Sequence, residues 1–315
     1  MTTLLQIALP LLLIAWVAVL PARSIAGLLV QGLAAGLTLM AANLALLWTF
    51  PPWWTPRLYL LLWAAVLIWR LGQLGMRAPA RWPSGGGPWA GFAAAAVLLA
   101  AAGWIVTVTL AGRFPPARPA IDLASPFAEG RYLVAHGGSR QLVNAHMKTL
   151  DPAMPGHGDW RGQSHAVDLV RIDRLGLRGP LTGSADPARY ETFGATVVAP
   201  CAGRVTAAED GRPDMPVPEM DAARKLGNHV ILDCGGLQVV LAHLREGSVR
   251  VKAGKAVASG APVAEAGNSG NSSEPHLHLH VQTPPPAGAA PIAGEPLPFT
   301  IEGRYYIRND RLDAG

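Results

Sequence analysis

Hydrophobic residues divide this chain in two. Up to about residue 111 they run in long stretches, at about 4–20, 25–49, 58–76 and 88–111. Apolar stretches of roughly 17–25 residues reach across a hydrocarbon core about 30 Å thick, so the pattern predicts an α-helical transmembrane bundle of four spans. The first stretch has the length of a signal peptide, but it lacks a basic start and further apolar segments follow it, so it reads as an anchor. No Asp, Glu, Lys or His occurs before residue 113, which argues against the polar outer faces of a soluble helical core. Nine of the ten Trp fall in this half near the ends of the apolar runs, where an apolar body with a polar tip suits a bilayer interface.

The pattern then changes period. Residues 1–112 form the transmembrane domain, and residues 113–130, with Pro115, Pro116, Pro119 and Pro126, predict an extended linker. Short β-branched runs bounded by Gly and Pro follow at 196–199, 204–207, 229–233, 238–242, 249–251 and 277–282. They predict a mainly-β domain over residues 131–285, built on an antiparallel sheet or sandwich. Residues 286–315 read as a C-terminal tail that closes the domain with a strand.

Arginine bias in the short loops gives an orientation. Arg23 lies in the first loop and Arg70, Arg77 and Arg81 at or after the third span, whereas the second loop holds only Arg57; Arg113 and Arg118 follow the fourth. The bias puts the first and third loops in the cytoplasm and the C-terminal domain outside it. The net charge of +5 comes from these loop arginines and a mixed-charge outer domain, so it implies no nucleic-acid partner. No internal repeat, phosphate loop or dinucleotide fingerprint is present.

The sharpest chemical signal is a Gly/Asn/Ser turn at 267–273 running into His276-Leu277-His278-Leu279-His280. Alternation with Leu projects the three imidazoles from one face of a strand, and neutral imidazole is a preferred zinc ligand. Asp168, in the strand-like run 164–170, offers a hard acidic ligand. In a strand, residues three apart face opposite sides, so His165 would not join Asp168, while Ser164 would point the right way. The missing imidazole then comes from His146, with His157 and His165 as the alternatives.

These segments resemble the LytM/lysostaphin-type zinc peptidases, whose pattern is His-x-Gly-x-Asp, Val-x-Ala-x-x-x-Gly-x-Val, a His-Leu pair, Gly-x-x-Gly-x-Ser and Pro-His-Leu-His. Here stand Asp168, Val197-Val198-Ala199-Pro200-Cys201-Ala202-Gly203-Arg204-Val205, His243-Leu244 and Pro275-His276-Leu277-His278. The resemblance covers about residues 130–285 and implies a LytM-type domain of the duplicated hybrid motif fold. One departure is that Ser164 stands where the first ligand falls. Some relatives take that histidine from an upstream loop, and Asn144-Ala145-His146 looks like that variant. The loops 151–160 and 211–227 exceed a minimal domain and would wall a cleft.

The resemblance implies one Zn2+ per chain held by His146, Asp168 and His278, with a position open for water, as in a catalytic site. His243 and His276 would flank it, one deprotonating the water and the other stabilising the oxyanion or protonating the departing amine. His280 reads as an outer partner; a register shifted to His280 is the alternative. The implied activity is a zinc metalloendopeptidase acting on peptide bonds in peptidoglycan stems or cross-bridges. It would be held by a multi-pass anchor in the lipid bilayer of a bacterial cytoplasmic membrane, with the peptidase domain on the periplasmic side. The competing readings are an inactive LytM-like domain that binds the wall or activates a separate hydrolase, and a membrane sensor or transporter subunit, for which Gln31, Asn43 and Arg70 are few polar groups. A regulatory membrane partner is left open. Cys201 and Cys234 either pair outside the cytoplasm or stay as buried thiols.

Overall fold

The computed structural model describes residues 2–49, 51–76 and 79–315; Arg77, used above for orientation, lies outside them. The chain divides into two compact units, residues 1–110 and 111–315.

The first unit is helical: α1 (Thr2–Val19), α2 (Ile25–Ala45), α3 (Thr55–Gly75) and α4 (Gly86–Ala111). Local chemistry places their ends. Ser24 caps α2 by accepting the Gly27 N–H at 3.1 Å. Pro56 sits in the first turn of α3, where its missing N–H costs no helical bond. The buried Gln31 amide donates to the Trp16 and Leu20 carbonyls and accepts the Ala22 N–H, stitching the end of α1 to α2. Gly32 and Gly36 let α3 approach α2 closely, and Trp63 Nε1 donates to the Gly32 carbonyl at 3.0 Å. Leu12, Leu61, Ile68 and Val97 face outward, which suits lipid better than water. Helices α2, α3 and α4, of 21, 21 and 26 residues, are long and apolar enough to cross a membrane. The first helix, α1, is apolar over its described stretch Leu5–Val19 and runs on through Pro10.

The second unit contains β1 (Asp122–Leu123), β2 (Gly130–His136), β3 (Val167–Arg171), β4 (Thr196–Val198), β5 (Gly203–Glu209), β6 (Asn228–Asp233), β7 (Gln238–Leu244), β8 (Ala256–Val257), β9 (Pro262–Glu265), β10 (Leu277–Gln282), β11 (Pro296–Leu297), β12 (Thr300–Ile301) and β13 (Arg311–Ala314). Nine strands make one antiparallel sheet, ordered β13-β2-β3-β10-β7-β6-β5-β8 with β11 on β10. β4 pairs antiparallel with β9, and β1 pairs parallel with β12. Strand alternation sorts the two faces. Leu277, Leu279 and Val281 of β10 enter the main core with Val167 and Leu169 of β3 and Val239 and Leu241 of β7. His278, His280 and Gln282 therefore point to the other face.

Two expectations change. Residues 249–251 form no strand; the chain there is a loop crossing, held by the Arg250 N–H on the Val263 carbonyl at 2.8 Å. The proline-rich segment is not a free linker along its length. Ala120 N–H donates to the Pro298 carbonyl, β1 pairs with β12, Ala124 N–H donates to the Pro200 carbonyl and Val198 N–H to that of Pro126.

Cys201 and Cys234 form a disulfide, their Cα atoms 6.2 Å apart and 33 residues apart in sequence. Cross-linking a loop of this size removes unfolded-chain entropy worth about 3–4 kcal/mol. The double variant Cys201→Ala/Cys234→Ala should lose about that much unfolding free energy, measured by denaturation followed by near-ultraviolet circular dichroism; an unchanged midpoint would show the bond to be dispensable.

Candidate metal centre

Strand register builds the site. In the ladders, His136 of β2, Asp168 of β3 and His278 of β10 are successive Cα partners, so their side chains share one face of the sheet. His146 reaches them from the 3-10 turn Ala145–Leu150, capped by Asn144. His278 Nδ1 lies 3.0 Å from Asp168 Oδ1, and His146 Nε2 lies 3.6 Å from Asp168 Oδ2. The ligand atoms of His146, Asp168 and His278 all lie within 4.8 Å of one another, the one such group among the described residues. Tetrahedral zinc with bonds near 2.1 Å spaces its ligand atoms about 3.4 Å apart, so two imidazoles and a carboxylate here fit that ion.

Outer hydrogen bonds fix which nitrogen is free. Asn144 Nδ2 donates to the Gly138 and Ala166 carbonyls, so its Oδ1 must accept, and it accepts His146 Nδ1–H at 3.0 Å. That leaves the His146 Nε2 lone pair facing Asp168. His278 is turned the other way: its Nδ1 faces the carboxylate while its Nε2 contacts His280 Nδ1 at 2.9 Å. A ligating His278 Nδ1 requires the proton on Nε2, and His280 accepts it. Replacing His280 by phenylalanine should lower zinc affinity about 10- to 100-fold, read by competition with a chromogenic chelator; unchanged affinity would leave His280 a filler of the core.

Two more imidazoles flank the group. His243, at the end of β7, donates Nδ1–H to the Ser269 carbonyl at 2.9 Å and packs 4.7 Å from the His276 ring and 5.7 Å from that of His278. Its backbone is left-handed, at φ 62, which is uncommon outside glycine and marks a constrained position. His276 donates Nδ1–H to the Glu274 carbonyl at 2.8 Å, and its Nε2 lies 3.8 Å from Asp168 Oδ1. Arg178 clamps Glu274 and so steadies this loop.

Burial lowers the pKa of His146 to about 3 against the pull of Asp168, and that of His136 to about 4. Burial, His276 and His278 likewise hold His243 well below its ordinary value. At neutral pH these rings are uncharged, the state in which imidazole binds a metal or takes a proton.

The other sequence candidates lie elsewhere. His157, on the short helix α5 (His157–Trp160), bonds through Nδ1 to the Thr149 carbonyl at 2.6 Å. His165 is buried with Nδ1 unpartnered. The strand parity argument for 164–168 fails because the strand starts at Val167, while Ser164 follows a 3-10 turn. Ser164 has a local task instead: its Oγ lies 2.8 Å from Thr149 Oγ1, whose hydroxyl holds the His146 carbonyl at 2.7 Å. The residue standing in the usual ligand place steadies the turn that carries His146. The loop 211–227 is pinned to the 267–271 turn by Met215 N–H on Asn268 and Asp221 N–H on Gly270. Sequence reasoning passed over His136 and Arg308; the signal was the apolar run Tyr132-Leu133-Val134-Ala135 leading into a histidine.

Residues 189–290, about a third of the chain, match the model of Peptidase family M23. Among solved structures, the antimicrobial peptidase lysostaphin from Staphylococcus simulans is similar at 19% identity and a TM-score of 0.25, over 41% of this chain and 39% of that one. A putative M23 peptidase from Pseudomonas aeruginosa matches at 17% identity and a TM-score of 0.28, over 62% of this chain and 56% of that one. A zinc-containing peptidase from Vibrio cholerae matches at 18% identity and a TM-score of 0.24, over 47% and 48%. A comparison with curated sequences finds no matching relative. The stretch matched by the family model includes His243, His276 and His278, and His146 and Asp168 precede it. Residues 189–290 are thus a domain of the LytM-type peptidase family M23, whose members are zinc-dependent.

Proposed function

We propose that this chain is a membrane-anchored zinc metalloendopeptidase that hydrolyses peptide bonds in peptidoglycan stems or cross-bridges outside the cytoplasm. The observation that carries the proposal is the convergence of His146, Asp168 and His278 within ligating reach, flanked by two further imidazoles with defined tautomers. Zinc, when bound, polarises the scissile carbonyl and makes water acidic enough to act as a nucleophile near pH 7. The chain's own residues do the rest. His146 presents Nε2, its proton held on Nδ1 by Asn144, and His278 presents Nδ1, with His280 Nδ1 placed 2.9 Å from its Nε2 to accept the proton there when Nδ1 ligates. His243 and His276 each hold a hydrogen on Nδ1 against a backbone carbonyl, so Nε2 is the nitrogen that each offers as a base. One takes the proton from the attacking water, and as an imidazolium it delivers that proton to the departing amine. The disulfide suits an oxidising compartment, and α2 to α4 suit a bilayer anchor.

The test uses the full chain purified in detergent. One zinc per chain and new amine and carboxyl ends in peptidoglycan fragments, both abolished by chelation and restored by zinc, are expected. Bound zinc without cleavage would instead favour the wall-binding reading, in which the same cleft recruits a separate hydrolase. A reporter active only in the cytoplasm, fused after Gly315, should stay silent.

A further inference from the structure

Both flanking rings, in their neutral tautomers, present a nitrogen without hydrogen, so neither offers a donor to the oxygen of a peptide carbonyl as it gains charge. We propose that His136 supplies that donor: its Nε2–H contacts the substrate carbonyl beside the metal group and stabilises the developing oxyanion. This rests on the peptidase reading above.

The geometry is specific. His136 ends β2 as the Cα partner of Asp168, after a register irregularity at Val134 that re-aims the strand end. Its ring stands edge-on to His146, centroids 5.7 Å apart. Nδ1 faces two N–H donors, Arg308 Nη2 at 2.8 Å and the Ala145 backbone at 3.3 Å. A guanidinium has no acceptor to offer, so this nitrogen must accept and the ring hydrogen must sit on Nε2. Arg308 is itself fixed, with Nε on the Ala135 carbonyl at 3.0 Å and Nη1 on that of Leu142 at 3.1 Å. Nε2–H has no acceptor among the described residues, yet it is not one of the buried unpartnered atoms, so it opens to solvent. His136 is therefore locked in the tautomer opposite to those of His146, His243 and His276, and a preorganised N–H aimed where negative charge grows is what such a step needs.

The test has two parts, both on the full chain in detergent. With histidine-selective nitrogen labelling, the metal-free protein should show His136 unprotonated at Nδ1 and protonated at Nε2 across neutral pH; the reverse tautomer would overturn the proposal without touching the peptidase reading. In kinetics on a peptidoglycan-derived peptide, His136→Ala should retain zinc and lose about 10²- to 10³-fold, chiefly in kcat. His136→Gln, whose amide nitrogen falls near the place of Nε2, should recover part of that loss. Unchanged kcat in His136→Ala, or loss of its zinc, would overturn the donor role. A parent chain that binds zinc and cleaves nothing would sink the peptidase reading and with it the substrate contact.

Discussion

Replacing His146 by alanine should strip zinc and turnover together, whereas His157→Ala and His165→Ala should leave both near the parent values. The distinction follows from placement. His146 Nε2 lies 3.6 Å from the Asp168 carboxylate, and Asn144 keeps that nitrogen unprotonated. His157 spends its Nδ1 on the Thr149 carbonyl, and His165 is absent from the ligating group. Removing an outer partner of a metal ligand costs about 10- to 100-fold in affinity, so removing the ligand itself should exceed 100-fold. Measuring zinc by elemental analysis beside cleavage rates separates the cases. A His146→Ala protein with full zinc and full turnover, alongside a His157→Ala or His165→Ala protein lacking both, would move the ligand to the other loop.

What the sequence made legible tracks the range of the interaction involved. Strand β10 was readable from alternation alone, because Leu-His alternation is a local record of a two-faced environment, and its expected span 277–282 is the observed one. Asp168 was visible as a carboxylate inside an apolar run. The preference for His146 over His157 and His165 had no periodic signal behind it, since a turn that folds back onto a sheet leaves no such trace; the upstream-histidine variant of the family pattern supported it. Parity at 164–166 had no strand to act on, since these residues precede one, although His165 does stay out of the ligating group. His136 was missed because its significance lies in the cross-strand register of β2 with β3, 32 residues away at Asp168, and in Arg308 from the far end of the chain. On the membrane side, the apolar runs located the four helices, because an uninterrupted apolar stretch is a local signal.

His243→Ala should lower kcat by about 10²- to 10⁴-fold while zinc content stays at one per chain, the size expected for loss of a positioned proton carrier. His243 is not in the ligating group, yet its ring lies 4.7 Å from His276 and 5.7 Å from His278. Burial and the two neighbouring imidazoles lower its pKa, which favours the neutral ring; a bound cation would push the same way. Its contribution to the rate should therefore persist into mildly acidic solution rather than fall away near the ordinary histidine value of about 6.5. The left-handed backbone supplies a control. Holding a non-glycine residue there costs of order 1–3 kcal/mol, and here the His243 N–H on Leu226 and the Gly267 N–H on the His243 carbonyl hold it. His243→Gly and His243→Asn both tolerate that conformation, so they should fold at least as well as the alanine variant and be equally slow. If glycine or asparagine restored turnover, the histidine would be serving the turn rather than the proton, and the base would have to be His276.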